Sequence, residues 1–243
     1  MVRDSQPNAL GASDQAIGQL AVDAIYYRDA GRFAAARAIS ARARAAIYDL
    51  FWQEMQPNPT MSILDVGVSD EDGPETNMVV KCYPWPGNIV CAGLGAGRQL
   101  RATYPGISYI QIAAGKPLPF RDKVFDIVCC NAVLEHVGGK MERAGFLREI
   151  VRVSRAAFIT VPNRWFPFEH HTGIPFLHWN SYLFRAVLRG TRLGYWSDPS
   201  HMDFLSRRLL KIEWPAQEPP KVLYAGLRLG PLSSNLAVVA KRL

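Results

Sequence analysis

Short apolar runs, each closed by a turn, alternate along the middle of the chain with stretches of helical spacing. The first run, Ile63, Leu64 and Val66, ends beside an acid and a glycine, Asp65 and Gly67. Further runs occupy Asn88 to Leu94, Ile107 to Ile112, Phe125 to Asn131 and Ala157 to Val161. Helices are predicted between them, over Glu75 to Tyr83, Arg98 to Tyr104, from near Ala132, and over Glu142 to Val153. Strands that alternate with helices at this spacing predict a parallel, doubly wound α/β sheet.

The flanks read differently. Ile17, Leu20, Ala21, Ala24 and Ile25 share one helical face after a cap at Ser13 or Asp14. A second helix is predicted from about Arg32 to Met55, with Ile39, Ala43, Ile47, Leu50 and Phe51 on its apolar side, and Pro57 and Pro59 stop it. Residues 1–60 are therefore read as a polar tail and a helical cap, and 61–243 as the core. Past Pro162 the alternation breaks down. Residues from about 163 to 203, rich in aromatics and proline, are expected to form a lid with one helix at Tyr182 to Leu188. A helix over Phe204 to Lys211 and two strands, Val222 to Leu229 and Asn235 to Lys241, finish the chain.

Composition narrows the function classes. The 243 residues are 49% hydrophobic and 20% charged, an ordinary globular balance. No apolar run reaches the roughly 18 residues of a membrane span, and Met1-Val-Arg-Asp-Ser5 has no signal-peptide core. Cys82, Cys91, Cys129 and Cys130 show no metal-binding spacing, so they are read as reduced and buried in a cytoplasmic protein. The net charge of +7 is concentrated in arginines at 28–44 and 185–208. These read as solvated helix faces, with attraction to an anionic partner (phosphorylated glycan, lipid surface or RNA) as the sharper alternative.

Four motifs in order carry a resemblance. Ile63-Leu-Asp-Val-Gly67, Leu118-Pro-Phe120, Phe125-Asp-Ile-Val128 and Asn131-Ala-Val-Leu-Glu-His-Val137 resemble the successive motifs of class I S-adenosylmethionine-dependent methyltransferases of the methyltransferase-11 type. The similarity spans about residues 61–162. It implies a Rossmann-like, mostly parallel seven-stranded sheet with an antiparallel last strand, plus the N-terminal helical cap. The implied cofactor is S-adenosyl-L-methionine. Its reactive methyl sits on a sulfonium, so the protein's task is orientation and exclusion of water. By resemblance, Asp65, Gly67, Val68 and Ser69 would lie against its methionine portion, Leu94 and Gly95 beside the ribose, and Ala114, Gly115 and Lys116 at the adenine. Asn131 and Ala132 would line the methyl-facing side. The chain departs from the family where an acid usually follows the second strand, since it has Leu94-Gly-Ala-Gly97 there. Likewise Ala113-Ala-Gly115 stands where a second acid commonly precedes the Leu-Pro-Phe motif.

Candidate chemistry lies beyond the fourth and fifth strands. His136 is a candidate general base for an alcohol or phenol, against the plainer reading of a structural histidine. Glu169, His170, His171 and His178, in a Trp-Phe-Pro…Glu-x-His-Thr…His-Trp pattern, could supply a base or grip a polar substrate. The alternative is an aromatic lid that packs as a small core. His136, His171 and Glu169 are the catalytic candidates. No metal is expected, because the Glu/His cluster has no ligand spacing on a defined element. Asn131-Ala-Val-Leu134 lacks the Pro-Pro-aromatic sequence that typically accompanies methylation of base nitrogens.

The expected function is therefore O-methylation of a small metabolite, sugar or lipid-linked glycan. The substrate is then a small molecule or glycan, with nucleic acid the weaker prospect and peripheral contact with an anionic surface compatible with the charge. Two other readings stand beside it: a non-catalytic methyltransferase-like binding protein, motivated by the missing acids, and an RNA methyltransferase, motivated by the charge. A nicotinamide-dependent dehydrogenase is excluded, because Gly67-Val-Ser-Asp-Glu-Asp-Gly73 is not a G-x-G-x-x-G turn. Oligomeric state is not legible.

Overall fold

The computed structural model describes residues 34–70, 73 and 76–241. The helix expected from Ser13 lies outside them. In chain order the elements are α1 (Ala34–Met55), β1 (Ile63–Val66), α2 (Met78–Cys82), β2 (Ile89–Gly93), α3 (Arg98–Thr103), β3 (Ser108–Gln111) and β4 (Phe125–Asn131). They continue with α4 (Lys140–Val153), β5 (Ser154–Pro162), α5 (Ser181–Leu188), α6 (Arg207–Ile212), β6 (Lys221–Leu229) and β7 (Leu232–Lys241).

The seven strands form one sheet in the order β3-β2-β1-β4-β5-β7-β6. β1 through β5 pair in parallel, and β7 runs antiparallel to both β5 and β6. The order reverses at β1, which lies between β2 and β4. In open α/β sheets such a switch point is where ligands bind, outside the carboxyl ends of the strands.

Alternation along the strands sends side chains to two cores. On one face Leu64, Val128, Ile159 and Val238 meet α4 through Leu147 and Ile150. On the other, Ile63, Ile127 and Ala237 meet α1 through Ile47 and Phe51, and Phe51 packs 5.5 Å from Phe158. Lys221 on β6 adds an ion pair to Glu54 of α1 at 2.8 Å. α1 is thus a layer of the core, with its C-terminal half buried against the sheet; Ile39, expected on the same apolar face, is instead exposed, because the helix leaves the sheet's edge before that turn. A third, small core lies within the lid, where Phe184 and Leu188 of α5 pack with Trp196, Met202 and Phe204.

Three local expectations change. No α-helix starts near Ala132; the chain makes a single 3-10 turn at Leu134–His136, and α4 begins only at Lys140, after Gly138 at φ 106°. α6 starts at Arg207 because Ser206 caps it and accepts from the Leu209 amide, which leaves Phe204 and Leu205 as buried anchors before the helix. Cys82, at the exposed end of α2, is solvent-accessible, whereas the other three cysteines are buried as expected.

Candidate active site

The register places the ends of β2, β1 and β4 side by side, with Val66 opposite Ala92 on one flank and Cys130 on the other. Gly67 follows at φ 88°, and its amide donates to the Ala92 carbonyl at 2.7 Å. A Cβ built there would lie 2.2 Å from a methyl of Val133, so only glycine lets the β4 loop close over the β1 turn. The Asn77 side chain fixes the next residues: its Oδ1 accepts from the Ser69 amide and its Nδ2 donates to the Ser69 carbonyl.

Asp65 is 5% exposed, and its side chain accepts no hydrogen bond among the described residues. Burial pushes its carboxyl up to about 7. A lone buried carboxylate at the end of β1 is stabilised by an incoming cation, and S-adenosylmethionine carries both an ammonium and a sulfonium. The methionine end of the site therefore fits that cofactor. Its ribose end does not follow the family pattern. Beyond β2, Leu94 occupies the acid's position, and its carbonyl accepts from Gln111. The nearby Asp70 is used as the cap of α3, accepting from the Arg98 and Leu100 amides at 3.0 Å each. Ala114, Gly115 and Lys116 form an exposed turn after β3.

At the end of β4, Asn131 is fixed from two sides, by Thr160 of β5 and by Arg44 of α1, whose Nη1 donates to Oδ1 at 2.5 Å. Ala132 follows in the left-handed region at φ 55°, rare for a non-glycine residue, and its amide donates to the Thr160 carbonyl. Arg44, 87 residues away in sequence, carries no local signal that would have singled it out.

Next to this corner the lid brings its histidines onto the β4 loop. Glu169 accepts from the amides of His171 and Thr172 and from the Thr172 hydroxyl, and its Oε1 lies 2.7 Å from His171 Nδ1. Burial raises this carboxyl, but the neighbouring His171 and these hydrogen bonds outweigh it and hold it down at about 2. Burial would lower His171; the charge and hydrogen bond of Glu169 prevail and raise it. His171 Nε2 in turn lies 3.1 Å from His136 Nε2. His136 Nδ1 faces the His201 carbonyl at 2.9 Å, and burial together with His171 drives His136 down to about 3. The three catalytic candidates thus form one chain, from Glu169 through His171 to His136.

Two further groups complete it. Glu135 is 2% exposed, neither of its oxygens has a hydrogen-bond partner among the described residues, and burial lifts it to about 7. His178 has an unpartnered buried Nδ1, and burial lowers its basicity. Both line a cavity of about 20 Å³, room for one hydroxyl or water, with Asn163, Glu169, His171 and Asp203. Glu135, His136 and His171 also offer one ligand atom each within 4.8 Å of one another, a proximity that their separation of 35 residues hides. The hydrogen bonds above account for that approach by placing the proton between the rings on His171.

A sheet ordered 3-2-1-4-5-7-6, with glycine and acid at the end of β1 and a polar corner after β4, has the Rossmann-like fold of class I methyltransferases. Residues 78–157 match the family described as a methyltransferase domain. Among solved structures, an S-adenosylmethionine-dependent methyltransferase from Thermotoga maritima aligns with a TM-score of 0.56 at 13% identity, covering 90% of this chain and 99% of its own. A methyltransferase from Haloferax volcanii, solved with the Trm112 methyltransferase activator, aligns with a TM-score of 0.60 at 13% identity over 92% and 96% of the two chains. The methyltransferase CalH in complex with S-adenosylhomocysteine aligns at 0.55 and 14% identity, over 85% of this chain and 59% of its own. A comparison with curated protein sequences gives no match.

Proposed function

We propose that the protein transfers a methyl group from S-adenosylmethionine to a hydroxyl of a small metabolite, sugar or lipid-linked glycan. The carrying observation is that Glu135 and His178 bring unpartnered buried polar atoms to the same cavity. Buried polar groups are ordinarily satisfied, and a hydroxyl between these two would satisfy both. When bound, the cofactor supplies an electrophilic methyl. Asp65, Gly67, Val68 and Ser69 would hold its methionine end, Leu94 and Gly95 would flank the ribose, and Ala114, Gly115 and Lys116 the adenine. Asn131 and Ala132 would face the methyl.

In this reading the acceptor hydroxyl donates to Glu135 or His178, and Glu135, raised to about 7, takes its proton as the oxygen attacks. His171, held by Glu169, keeps a positive charge beside Glu135, and His136 accepts from His171 and fixes that proton's position. The histidines thereby assist by setting the charge around the base. The arrangement resembles an N-methyltransferase less than an O-methyltransferase, because a carboxylate base suits an acceptor that must lose its proton.

Calorimetric titration with S-adenosylmethionine and S-adenosylhomocysteine, followed by a screen of hydroxylated acceptors, tests the proposal. Micromolar cofactor binding and transfer that is lost in Glu135→Gln support it. The absence of an acid after β2, with Asp70 spent on capping α3, favours a second reading as a non-catalytic binding protein. A folded protein that binds neither ligand at millimolar concentration would decide for that reading.

A further inference from the structure

The outer surface of the lid is apolar and cationic. Of the thirteen large hydrophobic side chains exposed among the described residues, seven fall between positions 165 and 187. Three of them pack together as one aromatic cluster. Trp179 lies 5.0 Å from Phe176 and 6.2 Å from Trp165, and Asn180, which caps α5, comes directly after it.

α5 extends the patch. Its inward residues Phe184 and Leu188 are buried in the lid core, yet its outward positions Tyr182, Leu183, Ala186 and Val187 carry no charge. Tyr182 is 84% exposed, and Leu183 and Val187 about half so. A solvated helix normally presents polar residues on that face. An exposed apolar patch of this kind marks a surface that meets something else.

The charge pattern says what. From His170 to Ser197 the chain contains Arg185, Arg189 and Arg192 and no acid. Arg189 and Arg192 are exposed just past α5, and at the other border the Arg164 guanidinium lies 5.3 Å over the Trp165 ring. Tryptophan and tyrosine among apolar side chains, bordered by arginine, are the composition that lies at the boundary between lipid headgroups and acyl chains. Arginines there gain from an anionic surface.

We propose that this lid face docks on an anionic lipid bilayer, with α5 lying in the interface plane and the Trp165–Trp179 pair inserted beside it. Half-exposed Phe168 both borders the patch and lines the cavity of Glu135 and His178, so the mouth of that cavity opens toward the bilayer. Docking stands independently of the proposed function. Its consequence, an acceptor hydroxyl on a lipid-linked molecule, rests on that reading.

The test is co-sedimentation of the full chain with vesicles of phosphatidylcholine alone and of phosphatidylcholine mixed with phosphatidylglycerol. The wild type should bind the anionic vesicles, weakly or not at all the neutral ones, and less as salt rises. Leu183→Glu with Val187→Glu should weaken binding by about tenfold or more while melting temperature and S-adenosylhomocysteine titration stay unchanged. No sedimentation with anionic vesicles, or undiminished binding by the double variant, overturns the proposal. So does a wild-type dimer in light scattering that the double variant splits, because the face would then belong to a second copy. The S-adenosylhomocysteine titration reads the methyltransferase function separately, so either idea can fail alone.

Discussion

His171 Nε2 lies 3.1 Å from His136 Nε2, while the two Nδ1 atoms face a carboxylate and a carbonyl. A carbonyl only accepts, so His136 must carry its proton on Nδ1 and leave Nε2 as an acceptor. The proton between the rings then belongs to His171, which becomes an imidazolium neutralised by Glu169. The raised basicity of His171 and the strongly lowered basicity of His136 agree with this assignment.

Nitrogen NMR of the histidines checks the arrangement. At neutral pH one ring should be doubly protonated and another a neutral Nδ1–H tautomer that does not charge down to about pH 4. Glu169→Gln should remove the partner charge, and the His171 titration should then move to lower pH. Two neutral rings in the wild type at pH 6 would contradict the charge assignment.

In the proposed mechanism Glu135 sets the pH dependence of turnover. As a base it works ionised, and burial raises its ionisation to about 7. kcat/KM should therefore rise about tenfold per pH unit below 7 and level off above it. Glu135→Gln should lower kcat by about 10²–10⁴ and abolish that inflection, with cofactor binding retained. A variant with wild-type turnover would remove Glu135 from the chemistry.

The strands were legible because they are local: apolar runs of four to seven residues, among them those closed by Gly67, Leu94 and Asn131; the switch point is set by non-local pairing, which no single run shows. The cluster was legible in part. His136, Glu169 and His171 stood out by residue type, but their convergence depends on the lid folding back onto the β4 loop. His178 stands out by type as well, whereas nothing in the sequence marks Glu135 beyond its place beside His136. What makes Glu135 informative is that neither oxygen of this buried carboxylate has a hydrogen-bond partner among the described residues. Arg44 was hidden because arginines opposite an apolar helix face normally meet water, and here one meets Asn131. The helix expected after Ala132 failed for a backbone reason: Ala132 is left-handed at φ 55° and Gly138, six residues on, has φ 106°, and no periodicity registers either.

Arg143 ties the lid's end to α4. It is buried, makes two hydrogen bonds to Glu213 at 2.9 and 3.0 Å, and reaches Asp203 at 2.7 Å. Replacing it leaves Glu213 buried without its counter-charge. Arg143→Met should cost about 3–5 kcal/mol in urea denaturation, because one orphaned charge is worse than a missing pair. Arg143→Met combined with Glu213→Leu should recover most of that loss. A single variant within about 1 kcal/mol of wild type would mean that Glu213 finds water or another cation.

Asp65 offers the sharpest separation of binding from stability. Its folded value of about 7 lies above the ordinary 3.8, so the folded chain holds a proton that the unfolded chain gives up. Stability contributed by that proton is present below about pH 4 and is lost as pH rises toward 7. Asp65→Asn removes the loss and should melt higher than the wild type at pH 8. The same substitution removes the only negative charge that β1 offers to the cofactor's cationic end. Affinity for S-adenosylmethionine should fall by about tenfold or more, the worth of one charge-assisted hydrogen bond. In the wild type, affinity should strengthen as pH rises through 7, because the carboxylate must ionise to bind; in Asp65→Asn that dependence should vanish. A variant that melts higher and still binds as the wild type does would show that the buried acid serves neither fold nor cofactor. One that melts lower would mean that Asp65 has a structural partner in solution.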